Sequence, residues 1–267
     1  MSTPSPAPDE RPSVARIYDY LLGGYHNFAA DRVAAEQLVR LYPDLPLTIR
    51  ANRAFLRRAV LFLTGQGIEQ FLDVGSGIPT VGNVHEVAQA RSPSARVVYV
   101  DSDPVAVAQS AALLADNPRA TAIQADARQP EAILAHPETR RLVDFRRPVA
   151  VLLVALLHFM PDEAEATRIV WTLRDAVAPG SYLAITHAVH GGEAVSHQQS
   201  AASAAYSRAA APFVLRTQAQ VARFFEGLEL VEPGLVLTPL WRPEGPEDLL
   251  VETPEQASGV AGIGRKP

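Results

Sequence analysis

After Gly67 the chain changes its apolar rhythm: short β-type runs begin to alternate with helical stretches, and the alternation continues to Ala188. The strand-like runs are FLDV at 71–74, VVYVD at 97–101, TAIQAD at 121–126, VAVLLVALL at 149–157 and SYLAITHA at 181–188. Helical patterns near 80–91, 104–115, 130–143 and 162–178 separate them. Parallel strands need a long crossover, usually a helix, whereas antiparallel strands can be joined by tight turns. The alternation therefore predicts a parallel α/β sheet covered by helices on both faces. Several boundaries carry their own signals. Asp103-Pro104 reads as an N-cap followed by proline at the first helical position. Pro161-Asp162-Glu163 places acids at the positive end of the 162–178 helix, and Pro179-Gly180 ends it.

The flanking segments differ. Residues 1–12, MSTPSPAPDERP, hold no apolar h-region and predict a disordered tail rather than a signal peptide. From Ser13 to about Thr64 the pattern is helical, broken at Gly23-Gly24 and across Pro43 to Pro46, so residues 13–66 read as a helical cover on a domain spanning 67–267. The small, polar text around GGEAVSHQQSAASAAYSR predicts a lid-like insertion at about 190–216. Thr217 then caps a short helix ending near Gly227, and LELVEPGLVLTPLW with the terminal GVAGIGRK predicts late strands in an antiparallel hairpin.

Composition closes off several functions. The absence of cysteine rules out disulfides, thiolate nucleophiles and cysteine-based zinc sites. A formal charge of −5 recommends no nucleic-acid partner. The longest apolar run, the 12 residues from Val149 to Met160, is too short to span a bilayer and suits a buried strand. A cytoplasmic protein without a membrane partner is the expectation, with oligomeric state open. His187, His190 and His197 have a loose spacing that zinc can use, but without cysteine and with only Glu193 nearby no metal site is expected.

The stretch FLDVGSGIPTVGN at 71–83 is a strand breaking into a glycine-rich turn, the kind of loop that holds part of a nucleotide-like ligand against its backbone. A dinucleotide site asks for G-x-G-x-x-G beneath a pyrophosphate. Thr80 occupies the third glycine position, and Asp73, two residues ahead of Gly75, would repel a pyrophosphate. A carboxylate there can instead accept hydrogen bonds from an ammonium group or ordered water. The loop Gly75-Ser76-Gly77 thus suits a phosphate-free ligand with a cationic amine, such as S-adenosylmethionine. The next strands fit the same ligand. Asp101, 26 residues beyond Gly75, tops the second strand, where it can take both ribose hydroxyls. Asp126 tops the third, where it can accept from the adenine amino group while the N–H near Ala127 meets a ring nitrogen. Each acid alone can be a helix cap; three at successive strand ends are harder to explain that way.

DVGSG, VYVDSDP, QADAR and LLHFMPDEA, in this order and spacing, resemble the successive motifs of class I S-adenosylmethionine-dependent methyltransferases. ARIYDYLLGGYHNFAADR, ANRAFLRRAV, FLDVGSGIPTVGNVHEVA and GVAGIGRKP are more narrowly similar to an actinobacterial methyltransferase family long catalogued as a domain of unknown function. The resemblance implies a seven-stranded, mostly parallel, Rossmann-like doubly wound sheet, S-adenosylmethionine as cofactor with S-adenosylhomocysteine as product, and cofactor contacts at Asp73, Gly75, Ser76, Gly77, Asp101, Ser102, Asp126 and Ala127. It also implies that the helical preface lies across the cofactor, with Tyr18, Gly23 and Asn27 in reach of the methionine end or the acceptor. The other reading of these three is ordinary packing and a helix stop.

The fourth strand's exit, LLHFMPD, is where acceptor chemistry is expected. It lacks the tetrapeptide of nucleic-acid amino-methyltransferases and the aspartate of aminopropyl transferases. It is closer to the L-H-D-W-x-D-E pattern of small-molecule O-methyltransferases, in which the histidine is the general base. His158 matches that position, while Phe159 and Met160 depart from it, so His158 is read either as a base or as packing over the cofactor. The leading function is methyl transfer to a small-molecule acceptor, at oxygen or nitrogen rather than carbon. The alternatives are a non-catalytic regulator that binds the same nucleosides, and an NAD(P)-dependent oxidoreductase, which Thr80 and Asp73 disfavour.

Overall fold

Five strands form the parallel centre of the sheet: β1 (Gln70–Val74), β2 (Arg96–Asp101), β3 (Ala120–Gln124), β4 (Ala150–Leu153) and β5 (Tyr182–Ala188). They lie side by side in the order β3-β2-β1-β4-β5. The chain order reverses beside β1, between β1 and β4, which is where ligands bind in sheets of this type. The computed structural model describes residues 11–80, 82–190, 193–245 and 248–267; residues 1–10 of the expected tail and Gly191-Gly192 of the expected insertion lie outside these.

Three late strands extend the sheet past β5: β6 (Glu229–Leu230), β7 (Val236–Leu237) and β8 (Gly259–Arg265). The antiparallel late strands expected from LELVEPGLVLTPLW and the terminal GVAGIGRK are present. Both two-residue strands pair antiparallel with β8, which itself runs antiparallel to β5 from Tyr182↔Arg265 to Ala188↔Gly259. The short β7 brings the described strands to eight, one more than the seven expected. Close packing explains the glycines of β8: a Cβ at Gly264 would lie 2.9 Å from Leu228, and one at Gly262 3.0 Å from the Phe225 ring.

Alternation along the strands sends successive side chains to opposite faces. Leu72, Val98, Val100, Val151, Leu153 and Ile185 form one buried layer. It packs on α6 (Pro130–Ala135), α7 (Pro137–Leu142), α8 (Glu163–Ala176) and α10 (Gln218–Ala222). Phe71, Val97, Tyr99, Leu152 and Ala184 form the other, against α3 (Leu45–Gly65) and α4 (Val84–Arg91). The single helix expected over 130–143 is two, because Pro137 keeps His136 out of the α region (φ −58°, ψ 135°).

Above the carboxyl edge of the sheet lies a third apolar cluster. It joins α1 (Val14–Leu21), α2 (Ala29–Leu41) and the start of α3 to α9 (Glu193–Ala209) and to Phe159. The cover and the insertion therefore pack on each other. The Pro43–Pro46 break is shorter than expected: α3 starts at Leu45, and Pro46 sits in its first turn, where a missing N–H costs nothing.

Candidate functional site

β1 ends at Val74, and the chain turns through Gly75 (φ 75°) and Gly77 (φ 68°), a left-handed conformation that favours glycine. The Gly75 and Ser76 N–H groups donate to the Val100 carbonyl at 2.8 and 3.1 Å, tying the loop to β2. A Cβ on Gly75 would lie 2.7 Å from Leu156, whereas one on Gly77 would meet nothing within 4 Å. Gly75 therefore permits a close backbone approach, and Gly77 borders open space.

That space is a cavity of about 480 Å³ running over the carboxyl ends of β3, β2, β1, β4 and β5. Its size falls within the range of about 300–1,000 Å³ usual for small-molecule and cofactor sites. Asp73, Gly75, Ser76, Gly77, Asp101, Ser102, Asp126 and Ala127 all line it, so the structure gathers eight of the sequence-derived cofactor candidates into one wall. Tyr18 lines it from the cover. Gly23 and Asn27 do not. Asn27 is buried and donates to Asp19 Oδ2 at 2.8 Å and to the Gly24 carbonyl at 3.0 Å. Gly23 takes φ 84° at the stop of α1. Both shape a turn around Asp19 instead of facing the cavity.

The three strand-end acids differ in environment. Asp73 is 4 % exposed, and burial pushes its pKa up to about 7 against the opposing charge of Arg53. Burial also raises Asp101, opposed by backbone hydrogen bonds: Asp103 N–H donates to its Oδ1 at 2.8 Å and Gly77 N–H to its Oδ2 at 2.7 Å. Each oxygen keeps a lone pair for a ligand. Asp126 is half-buried and accepts from the Arg128 N–H at 2.9 Å.

Asp103 has a second task beyond the cap it makes for α5 (Pro104–Leu113), where its Oδ1 accepts from Val105 N–H at 2.8 Å. Its Oδ2 accepts from the Ser13 hydroxyl and lies 3.5 Å from the Arg16 guanidinium. Arg16 also pairs with the fully buried Asp31 at 2.9 Å, and Asp31 accepts from Ser13 N–H at 2.9 Å. This cluster fastens α1 to the tip of β2. On the other side, Asn52 Nδ2 donates to the Tyr18 hydroxyl at 2.9 Å, and Thr186 Oγ1 donates to Asn52 Oδ1 at 2.7 Å. Thr186 accepts in turn from the N–H of Ala155 at 2.8 Å. Ala155 follows β4 at φ 55°, a strained conformation for alanine, beside the cavity.

His158 lies on the 3₁₀ turn Leu157–Phe159 after β4 and lines the cavity. Its ring is 4.5 Å from that of Phe159 and 4.7 Å from that of Phe213. Its Nδ1 is buried with no partner among the described residues, and burial holds its pKa well below the usual histidine value, helped by the nearby His187 and Arg216. The turn is held by Arg216, which donates to the carbonyls of Leu157 at 3.0 Å and Met160 at 2.7 Å. Arg216 Nη1 also lies 2.8 Å from His187 Nε2, while His187 Nδ1 lies 2.7 Å from the Ala188 carbonyl. These contacts make His187 a neutral imidazole protonated at Nδ1, its pKa lowered by burial to about 4. His187 thus belongs to a buried network, His190 and His197 are exposed, and no group of three metal-ligating side chains occurs among the described residues. Nor is any described helix long and apolar enough to cross a membrane.

Sequence reasoning missed Arg53, Asn52, Thr186, Arg216 and the Asp103 fastening. Asp103 carried only a capping signal; Asn52 and Arg53 lie on α3, Thr186 on β5 and Arg216 in the loop before α10, and their partners are far away in the chain.

Residues 3–267 match a family model described as S-adenosyl methyltransferase. The crystal structure of a Thermobifida fusca YX protein, described there as a candidate methyltransferase, is 45% identical over 100% of this chain and 99% of that one, with a TM-score of 0.91. A DUF574 family protein from Streptomyces avermitilis MA-4680 is 41% identical over 97% of this chain and 99% of that one, also at 0.91. The N-methyltransferase NodS of Bradyrhizobium japonicum WM9 is 14% identical over 84% of this chain and 98% of that one and shares the fold at a TM-score of 0.50. No curated protein matches the chain. The glycine turn, the three acids beside one cavity and a family match over nearly the whole length agree: the chain belongs to the S-adenosyl methyltransferase family, whose cofactor is S-adenosylmethionine.

Proposed function

We propose that this protein transfers a methyl group from S-adenosylmethionine to an uncharged small-molecule acceptor, at oxygen or nitrogen. The observation that carries the reading is the division of one cavity along the sheet edge. Its charged residues, Arg53, Asp73, Asp101, Asp103, Asp126 and Arg128, come from α3 and from the ends of β1, β2 and β3. Toward β4 and β5 the lining is aromatic and aliphatic, with Tyr18, Ile49, Phe159, Tyr206 and Phe213 beside the neutral His158. In this reading Asp101 accepts the ribose hydroxyls, Asp126 and the Ala127 N–H take the adenine, and Asp73 meets the α-ammonium group.

The cofactor supplies a methyl group already activated on a sulfonium. The chain's task is then to align the acceptor and exclude water, and orientation of this kind is worth about 7–11 kcal/mol. His158 is neutral at pH 7 and able to receive a proton, but its low basicity makes it a weak base; a base contributes about 10²–10⁴-fold where the acceptor must lose a proton. The same low basicity favours the second reading, a regulator that binds the nucleosides without turning them over. Two measurements test the proposal. Calorimetry should show binding of S-adenosylmethionine and S-adenosylhomocysteine but not NAD, and binding of NAD alone would refute it. Incubation with fractionated metabolite extracts should release S-adenosylhomocysteine in an acceptor-dependent way, and binding without turnover across broad extracts would favour the regulator.

A further inference from the structure

Toward β4 and β5 the cavity is bounded by a wall of aromatic rings packed on one another. Phe159, Tyr206 and Phe213 stand with ring centroids 5.4 Å apart in each pairing. The His158 ring joins them, 4.5 Å from Phe159 and 4.7 Å from Phe213. The rings come from three separate places: the turn after β4, α9 of the insertion and the loop that follows α9. All four line the cavity. Such a wall favours a planar ring over a saturated one, because aromatic pairs attract beyond the area they bury.

Two polar groups of the wall have no partner among the described residues. The hydroxyl of Tyr206, a side chain 9 % exposed, makes no hydrogen bond there, and burial keeps its proton in place. His158 Nδ1 is walled in, which leaves Nε2 as the nitrogen that a molecule in the cavity meets. With the ring proton on Nδ1, the neutral Nε2 accepts a hydrogen bond. The wall thus offers one acceptor and one donor, the complement of a hydroxyl group, which gives and receives at once. An arylamine meets only half of it, since the lone pair that would accept from Tyr206 is the one that has to attack.

The nearby charge selects among hydroxyls. Arg216 is buried, and its guanidinium meets only the carbonyls of Leu157 and Met160, the neutral His187 and the Phe224 ring, with no ion pair among the described residues. Glu163, the acid that acts on it, opens α8 and pairs with Arg223 at 2.9 Å. A cation so placed repels an ammonium acceptor and favours an oxygen that is gaining negative charge. It also helps burial to keep His158 a weak base. A weak base serves a phenol, which ionises at about 10 as tyrosine does, far better than an alkanol, whose proton is held like that of water at about 16. Resting on the methyl-transfer reading above, we infer that the acceptor is a phenol, its ring on the wall of Phe159, Tyr206 and Phe213 and its hydroxyl between His158 Nε2 and the Tyr206 hydroxyl. The phenolic oxygen bonds to the methyl carbon as the sulfur–methyl bond breaks, and the bonding pair stays on sulfur. The phenolic proton passes to His158 Nε2, and from there to water once the aryl methyl ether leaves.

The probes are 2-naphthol, its saturated counterpart decahydro-2-naphthol and 2-naphthylamine, each titrated calorimetrically into protein saturated with S-adenosylhomocysteine. 2-Naphthol should bind about tenfold more tightly than the saturated alcohol. Phe213→Leu should weaken 2-naphthol about 3- to 10-fold and leave S-adenosylhomocysteine within about threefold, which also reports that the variant is folded. With S-adenosylmethionine, 2-naphthol should yield 2-methoxynaphthalene and S-adenosylhomocysteine in equal amounts. His158→Phe keeps a ring in the turn and should slow that reaction about 10²-fold or more, while 2-naphthol affinity stays within about tenfold. Equal affinity for the two alcohols, 2-naphthol bound without ether formation, or faster turnover of the amine overturns the phenol and leaves the methyl-transfer reading intact. Wild-type protein that does not bind S-adenosylhomocysteine overturns the methyl-transfer reading and the phenol with it.

Discussion

Affinity for S-adenosylhomocysteine should rise steeply with pH, because Asp73 must be ionised to meet an ammonium. Burial sets its pKa near 7 in the free protein. It is therefore about 1% ionised at pH 5 and about 90% ionised at pH 8. If the ammonium holds the carboxylate ionised in the complex, binding at pH 5 must first expel a proton. The affinity should then climb up to about 90-fold between these limits, close to 3 kcal/mol, with most of the change below pH 7. The assay is calorimetry at several pH values, in buffers of different ionisation enthalpy so that released protons are counted. About one proton should leave per ligand bound at pH 6, and few at pH 8. The uncharged 5′-methylthioadenosine is the internal control: any titration of Asp101 beside the ribose affects both ligands and cancels in their ratio. Asp73→Asn should flatten the profile. A ratio constant from pH 5 to 8, or binding at pH 6 without proton release, would refute the placement of Asp73.

Thermal stability would not isolate this residue. The folded pKa of Asp73 lies above its ordinary value of 3.8, so the native state holds that proton more tightly and the group adds stability as pH falls from about 7 to 4. His187 acts in the opposite sense. Its folded pKa of about 4 lies below the ordinary 6.5, so its contribution is complete above 6.5 and is lost as pH falls toward 4. His158, also depressed, adds to the second effect. The two windows overlap and largely offset each other.

Three substitutions probe the rest of the site. Asp101→Asn offers a single oxygen to the N–H groups of Gly77 and Asp103 and removes the charge presented to the ribose, so both nucleosides should bind about 1.5–3 kcal/mol more weakly; unchanged calorimetric affinities would show the ribose is elsewhere. His158→Ala should cut turnover about 10²-fold or more while the dissociation constant for S-adenosylhomocysteine stays nearly constant if the imidazole is a base, and parallel losses in both would identify packing. Arg216→Met strands the Leu157 and Met160 carbonyls and His187 Nε2 in a buried setting; denaturant unfolding should report a loss of about 2–4 kcal/mol, and an unaltered midpoint would mean the buried charge costs as much as its hydrogen bonds return.

The parts of this molecule that sequence alone reveals are those governed by local rules. Period-2 strands, proline and glycine punctuation and Asp103 ahead of Pro104 place β1 to β5 and their crossovers, because alternation and capping are decided within a few residues. The strand-end acids share one edge for the same reason: parallel topology sends every such residue to the same side. Pairings between distant segments leave no local trace. The two-residue strands β6 and β7 both pair with β8, and nothing in LELV or LVLT fixes the registers Glu229↔Arg265 and Val236↔Ala261. Arg53 reads as one member of an arginine-rich helix. Its Arg57 neighbour pairs with Glu244 at 2.6 Å on the surface, and composition cannot tell which of the two turns inward.

The N-terminal cover shows how such distant pairings bear on function. α1 has only 8 residues, too few to persist as an isolated helix in water. It therefore owes its position to tertiary contacts, and these lie at both ends of the cavity. Ser13 and Arg16 engage Asp103 beside β2, while Tyr18 reaches Thr186 on β5 through Asn52. A segment fastened at both ends bridges the β2 side and the β5 side of the cavity. Burial raises the Tyr18 pKa, so its hydroxyl remains a protonated donor, and its own donated bond, to the Ile49 carbonyl, is long at 3.4 Å. That proton can turn to a ligand with little loss. The strained Ala155 donates to Thr186 in the same chain of hydrogen bonds, which links the exit of β4 to the cover. The cover, β5 and the exit of β4 are thus joined by one chain of hydrogen bonds along the cavity, a set of contacts that the sheet's own core does not supply.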